Sequence, residues 1–448
     1  MALIKQIIEL LLQHQWLWPL VFAVVIIAVL PLLAGYVVLM ERKVMADMQV
    51  RLGPMRVGPH GLLQPIADAV KLLMKEDIIP EKADKWIFWL APLISVTAAI
   101  SAYAAVPFGP VFQIADLNVG VLFITAVMSM GIFGVILGGW SSNSHYSLLG
   151  ALRSSAQVIS YETAVGFALI SGLLLAGTLS MKQIVMVQAE QHVWFIFLAP
   201  VGFFIYLVGS IAETNRAPFD LPEAESELVA GYMTEYSGFR WAIYFLGEYA
   251  AMIMVSSVAV TLFLGGWLRP FPSVRALDFL DFLPALLLLG TAGYCFWRTP
   301  RQPVQIQKLV MALVGVGILV VAGILGWAAT LPSNLPETSN TRAGILGAFW
   351  FLLKVFAYIY TFMWVRFTFP RFRFDQLMRL GWHFLIPLSI VNVLGVGTAL
   401  VLAQQMQWPK WSAIALTTAV TLLVAAWLAN IELKRTLPTT RPDIGQEA

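Results

Sequence analysis

WLWPLVFAVVIIAVLPLLAGYVVLM fills residues 16–40 without a single charge. A helix crosses the roughly 30 Å hydrocarbon layer of a bilayer in about 20 apolar residues, so this run is long enough to span it. It exceeds the roughly 7 to 15 residues of a signal-peptide core and lacks a small-residue cleavage site, and it therefore reads as a retained first span.

The same pattern recurs along the chain. Of 448 residues, 59% are hydrophobic and 12% charged, where a globular domain has about a quarter charged. Ten further apolar runs lie near 86–106, 119–139, 158–178, 193–212, 240–264, 277–297, 309–330, 344–368, 381–404 and 410–431. The expectation is an all-α polytopic membrane protein with about eleven transmembrane helices. With the N-terminus outside, lysine and arginine number 21 on the inner side, against six outside: Lys5, Lys182, Arg269, Arg275, Arg342 and Lys410. The positive-inside rule then places the long loops, and the tail 432–448, in the cytoplasm. Outer connections such as PFGPVFQIADLN (107–118) are short and nearly uncharged, which directs the search for function to the cytoplasmic face.

Cys295 is the single cysteine, which excludes disulfides and all-cysteine metal or iron–sulfur sites within the chain. The five histidines have no ligand-like spacing, and no phosphate-cradling glycine motif is present. No metal site is expected, and the chain alone should not hold NADH or ATP.

Charge concentrates in a few places. Loop 41–85 contains Arg51, Arg56 and a series of glycines and prolines, followed by Leu62, Ile66, Val70 and Leu73 at helical spacing opposite Gln64, Asp68, Lys71 and Lys75. It reads as an amphipathic helix along the membrane surface, with an ordinary solvated loop as the alternative. Between two apolar runs, AETNRAPFDLPEAESELVAGY (212–232) carries Glu213, Asp220, Glu223, Glu225 and Glu227, with Glu235 just beyond and Arg216 as its one cation. The interleaved apolar residues make it a poor free loop, and crowded, desolvated carboxylates take up protons more readily than solvated ones. Compensating cations are expected from Arg42, Arg51, Arg56, Arg371 or Arg373. Glu162 enters a span, while Glu248 and Lys354 lie within spans. Each would cost roughly 2.5–3.5 kcal/mol at the centre of an isolated helix, which favours an internal row of ionisable groups over lipid exposure. A snorkelling Lys354 and an interfacial Glu162 remain the simpler alternatives.

These residues carry a family resemblance. The stretch 212–232 closely resembles the signature of the H-subunit (chain 1) family of proton-pumping NADH:quinone oxidoreductase, respiratory complex I. ERKVMADMQVRLGP, GLLQPIADAVKLLMKED, RSSAQVISYE and PRFRFDQLMRLGW look like its other signatures, in the expected order between about residues 16 and 404. The resemblance implies a single membrane domain with an eight-helix core, to which this chain adds an inserted hairpin at 277–330 and a helix at 410–431. It implies a place in the bacterial inner membrane, where the cytoplasmic loops form the membrane side of a ubiquinone or menaquinone chamber. Glu213, Arg216, Asp220, Glu223, Glu225 and Glu227 would belong to the chamber loop (213–239), and Glu162, Glu213 and Glu248 to a charged path leading from it. Arg42, Arg51, Asp68, Arg371 and Asp375 would lie near the chamber entrance or the docking surface of the hydrophilic arm. Quinone would be the substrate, with FMN and iron–sulfur clusters on partner subunits. The implied partners are the arm's quinone-site and terminal-cluster subunits, small membrane subunits and antiporter-like subunits; no nucleic acid is implied. Ala224 stands where the family pattern has glycine, which leaves the functional side chains intact. The rivals are the equivalent membrane component of a membrane-bound hydrogenase or other-donor dehydrogenase and, from another class, a stand-alone ion transporter.

Overall fold

The computed structural model describes residues 17–110, 112–220, 230–271, 275–302, 304–331, 336–406 and 410–436. Its helices are α1 (Leu17–Met48), α2 (Gln64–Met74), α3 (Lys85–Ser101), α4 (Gly120–Ser141), α5 (His145–Ala176), α6 (Met181–Gln191), α7 (Phe195–Leu198) and α8 (Pro200–Glu213). They continue as α9 (Gly238–Phe263), α10 (Leu283–Arg298), α11 (Gln305–Thr330), α12 (Pro336–Thr368), α13 (Phe374–Arg379), α14 (Ile386–Gln405) and α15 (Lys410–Thr436). There is no strand among the described residues. Among the described residues, nine of the eleven expected spans coincide with helices long and apolar enough to cross a membrane, so the chain is an all-α polytopic membrane protein.

The two remaining spans differ for local reasons. The run 193–212 is broken at Ala199 between α7 and α8, because Pro200 has no N–H to continue the preceding helix. The 14 residues of α8 rise only about 21 Å, short of the hydrocarbon thickness. Non-helical backbone at such a break needs polar partners from the protein. At the break the Ala199 N–H donates to Phe195 O at 2.7 Å, and Gln188 secures the start of α7: its side-chain oxygen accepts from the Phe195 N–H at 3.2 Å, and its amide donates to the Thr261 and Leu262 carbonyls at 3.0 and 3.2 Å. The run 277–297 begins as a 3-10 turn, Arg275–Asp281, and becomes α-helical only from Leu283, with Pro284 in its first turn.

The span expected at 158–178 starts much earlier than its hydropathy indicates. Only residues 142–144 separate α4 from α5, so the supposed inner loop 140–157 is mostly helix. Two serines of this part of α5 satisfy their hydroxyls on the helix itself, Ser155 on Ala151 O at 2.8 Å and Ser160 on Ala156 O at 2.6 Å, and so can be buried within it. Glu162 therefore lies about 25 Å from the first residue of α5 and not near a span's end.

At the centre stands α9, nearly continuously buried from Tyr249 to Phe263 and touching α1, α2, α3, α5, α6, α8 and α12. Short connections around it are pinned by close contact. A Cβ on Gly150 of α5 would sit 2.6 Å from the Gly231 Cα, so the turn at 231–233 presses directly on α5 and fixes Tyr232 beside α9. The amphipathic α2 has no buried residue, and Ile66, Val70, Leu73 and Met74 are exposed along its surface. The chain after it returns to α9 through an Arg240–Asp77 ion pair of 2.9 Å and an Ile78 N–H bond to Ser237 Oγ at 2.9 Å.

Candidate functional site

Three helices bring three carboxylates to one cavity. Glu162 comes from the middle of α5, Glu213 from the last residue of α8 and Glu248 from α9, and all line a cavity of about 100 Å³ together with Ser154, Asn215 and Tyr232. The space suits several waters and is too small for a large organic ligand. A second, mostly apolar cavity of about 510 Å³ between α4, α5, α8 and α9 shares Glu162 and Glu213.

Two of the acids have a donor from another element. Ser129 of α4 donates to Glu162, and Tyr232 donates to Glu248 Oε1 at 3.0 Å. On its other oxygen Glu248 faces Arg216 at 3.6 Å, an ion pair longer than a charge-assisted hydrogen bond. The Arg216 guanidinium in turn lies over the Tyr249 ring, 4.2 Å from its centroid. Tyr249 Oη donates to Glu41 Oε2 at 2.6 Å, and Arg366 holds the other Glu41 oxygen. A charged series thus runs from Glu41 through Arg216 to Glu248 and the two acids beside it.

The segment after Glu213 is held by polar contacts along its backbone. Gln157 donates to the Ala212 and Phe219 carbonyls at 2.9 and 2.7 Å, Phe219 packs on Tyr161 and Phe372, and the Phe372 N–H donates to Pro218 O at 3.1 Å. Asp220 is buried and paired with Arg371 at 2.9 Å. The arginine-rich stretch 371–373 is thereby fastened to residues 218–220.

The structure separates some residues that the sequence grouped. Arg216 pairs with Glu248 and not with the described acids of its own loop. Among the expected compensating cations Arg371 alone is seen on one of those acids; Arg42 pairs with Asp68 at 2.7 Å, and Arg51 bonds Gln49 at 2.6 Å. Asp375 is exposed in the first turn of α13. Glu223, Glu225 and Glu227 lie outside the described residues. Lys354 does not share the acids' cavity. Its Nζ donates to three carbonyls, Leu264, Gly266 and Leu268, at 2.7, 2.9 and 2.6 Å, and lies 4.5 Å from the Trp194 ring centroid. Those carbonyls begin 16 residues beyond Glu248, about 24 Å farther along α9.

Sequence reasoning missed Glu41, Tyr232, Tyr249 and Arg366. Glu41 reads as an interfacial charge at the end of an apolar run, and its partner Arg366 is 325 residues away, beyond any local pattern. Among the described residues no group of three or more histidine, cysteine or acidic side chains converges to hold a metal ion. Three carboxylates around a small cavity, one of them facing the Arg216 guanidinium, are equipped to exchange protons and to sense charge.

Residues 20–397 match the model of the NADH dehydrogenase family. The chain is 54% identical to NADH-quinone oxidoreductase H subunit 2 of Solibacter usitatus, over 86% of this chain and 97% of that protein. It is 50% identical to the corresponding H subunit 1 of Koribacter versatilis over 85% and 92%, and 42% identical to the H subunit of Magnetococcus marinus over 86% and 93%. With nearly the whole of these relatives covered, and with the acids of α5, α8 and α9 assembled around one cavity, the chain belongs to the NADH dehydrogenase family of NADH-quinone oxidoreductase H subunits.

Proposed function

We propose that this chain is the membrane component that forms the membrane side of the quinone chamber in a bacterial NADH:quinone oxidoreductase and couples quinone reduction to proton translocation. The N-terminus lies outside and the long loops lie in the cytoplasm, against the arm whose FMN and iron–sulfur clusters deliver electrons. The small membrane subunits and antiporter-like subunits continue the charged path beyond this chain. The helices 277–330 and 410–431 lie outside the eight-helix core.

The observation that carries this reading is the cavity of Glu162, Glu213 and Glu248, tied through Arg216 to the segment 214–220. Reduction of a quinone to a quinol consumes two electrons and two protons, which changes the charge balance of the chamber wall. That change acts on the chamber acids, Glu223, Glu225 and Glu227 among them, and Arg216, from the described part of the same loop, faces Glu248. Movement of Arg216 away from Glu248 leaves that carboxylate without this cation and favours its protonation. Protonation of Glu248 then alters the field at Glu162 and Glu213. Arginine keeps its proton throughout, so Arg216 transmits charge and not a proton. The chain supplies no hydride-transfer residue.

The test is Glu248→Gln in the assembled complex, reconstituted into proteoliposomes. NADH-driven quinone reduction and acidification should both fall about tenfold or more, less than the roughly 10²–10⁴-fold contributed by an acid–base group at the reacting atoms, which Glu248 does not touch. Normal pumping would remove Glu248 from the path. Hydrogen evolution without quinone reduction by the unaltered complex would instead assign the chain to a hydrogenase.

A further inference from the structure

The hairpin of α10 and α11 plays no part in the acid cavity, yet its charges are distributed in a way that asks for a ligand. No aspartate or glutamate occurs between Asp281 and Glu337, and the cations within the hairpin, Arg298, Arg301 and Lys308, all lie at its turn. None of the three has a carboxylate within ion-pair distance among the described residues.

This end also abuts the first loop. α11 touches the Pro59–Gly61 turn, and Lys43 Nζ donates to His60 O at 2.6 Å. Burial, followed by the charges of Arg298 and Lys43, pushes the His60 imidazole below its ordinary pKa. His60 Nε2 is buried and has no hydrogen-bond partner among the described residues. One acid, Asp47, stands near Lys43, so the locality remains net positive.

The aromatic residues fix the depth of this site. Arg301 lies over the Trp297 ring, 3.6 Å from its centroid, and Arg298 Nε donates to Tyr294 Oη at 3.1 Å. Trp297 and Tyr294 are themselves exposed, and exposed tryptophan and tyrosine at a helix end mark the headgroup level of a bilayer. Leu286, Leu289, Leu309, Leu313 and Val316 are exposed along the stems of the two helices, a surface that acyl chains cover. Guanidinium groups offer paired N–H donors that match phosphate oxygens.

We propose that the turn end of this hairpin, with Lys43 and His60 across from it, binds the phosphodiester of an anionic phospholipid. The phosphate lies between Arg298 and Arg301, and the acyl chains run down α10 and α11. The inference requires that these helices span a membrane but not that the chain serves a quinone chamber, so NADH:quinone turnover measured in parallel tests that reading separately.

The experiment titrates the purified complex in detergent with phosphatidylglycerol or phosphatidylcholine and counts bound lipid by native mass spectrometry. The unaltered complex should retain phosphatidylglycerol in preference to phosphatidylcholine. Arg298→Gln with Arg301→Gln should weaken phosphatidylglycerol retention about thirty-fold, or about five-fold for each cation removed, and lower the weaker phosphatidylcholine retention far less, because its trimethylammonium group already offsets the phosphate charge. Equal phosphatidylglycerol retention by variant and wild type would overturn the proposal. Displacement of phosphatidylglycerol by inorganic phosphate would also overturn it, in favour of a free-phosphate site. Should the double variant assemble poorly, photoactivatable phosphatidylglycerol on the wild-type complex reads the same point: labelling of the 294–308 peptide supports the site, and labelling confined to other regions rejects it.

Discussion

Glu248 and Lys354 are both ionisable residues within membrane helices, and the sequence presents them as one kind of feature. Their surroundings differ in what they permit. Lys354 is buried and donates to three backbone carbonyls at the end of α9. Those acceptors cannot change protonation, and they belong to a turn that must be satisfied wherever the chain leaves the helix. Glu248 faces the side chains of Tyr232 and, at a loose 3.6 Å, Arg216, and it lines a cavity shared with two other acids. Burial by itself therefore says little about function; the nature of the partners separates a fastening from a switch.

The largest effect that would test this contrast is Lys354→Met. Methionine fills similar volume but leaves three buried acceptors without their donor, at about 1–3 kcal/mol for each unsatisfied group before relaxation. The expectation is a loss of about 3–5 kcal/mol in stability, seen as reduced assembly and a lower thermal midpoint, with normal quinone turnover per assembled complex. Normal stability with depressed pumping would place Lys354 on the charge path after all. Glu248→Gln should behave in the opposite way, assembling and lowering turnover about tenfold, below the roughly 10²–10⁴-fold of an acid–base group at the reacting atoms. If it blocks assembly and its surviving fraction pumps normally, the contrast collapses.

Much of the fold is legible in the sequence. The positions of the spans follow from hydropathy, because a helix must hide its backbone from lipid whatever its neighbours do. Where hydropathy misleads, the cause is polar residues inside the fold. The seam Ser154, Ser155, Gln157 and Ser160 looks like loop material, yet all four are buried in α5, so hydropathy starts that helix 13 residues late. Glu162, Glu213 and Glu248 are recognisable as acids near or within spans, but their convergence requires three helices to be placed. Glu41 with Arg366 and Tyr249 is invisible, since nothing local distinguishes a buried ion pair closed over 325 residues from two interfacial charges.

Asp220→Asn should have a moderate effect. Asp220 is buried, but its partner Arg371 is 39% exposed and can turn to water. The cost falls in the range of about 1.5–3 kcal/mol for a hydrogen bond to a charged group, less any recovery from the amide. Quinone turnover should drop a few-fold as the segment 218–220 loosens from residues 371–373, and the complex should still assemble. Turnover equal to wild type would show that this pairing is dispensable to the proposed chamber wall.

The smallest effect belongs to Tyr249→Phe, and it decides how charge passes along the series. The substitution removes the O–H that donates to Glu41 at 2.6 Å and keeps the ring that carries Arg216. Glu41 retains Arg366, so the stability loss should stay near about 1.5 kcal/mol, the low end for a charged hydrogen bond. Arg216 meets the ring face and holds its protons, so it offers no proton-transfer step between Tyr249 and Glu248. The two acids are coupled by their fields alone, and the phenylalanine variant should pump within about twofold of wild type, since the Arg216–ring contact, worth about 0.5–2 kcal/mol, survives. A tenfold loss, matching Glu248→Gln, would mean that the tyrosine hydroxyl itself carries the proton. Glu248 would then belong to a hydrogen-bonded wire and not to an electrostatic switch.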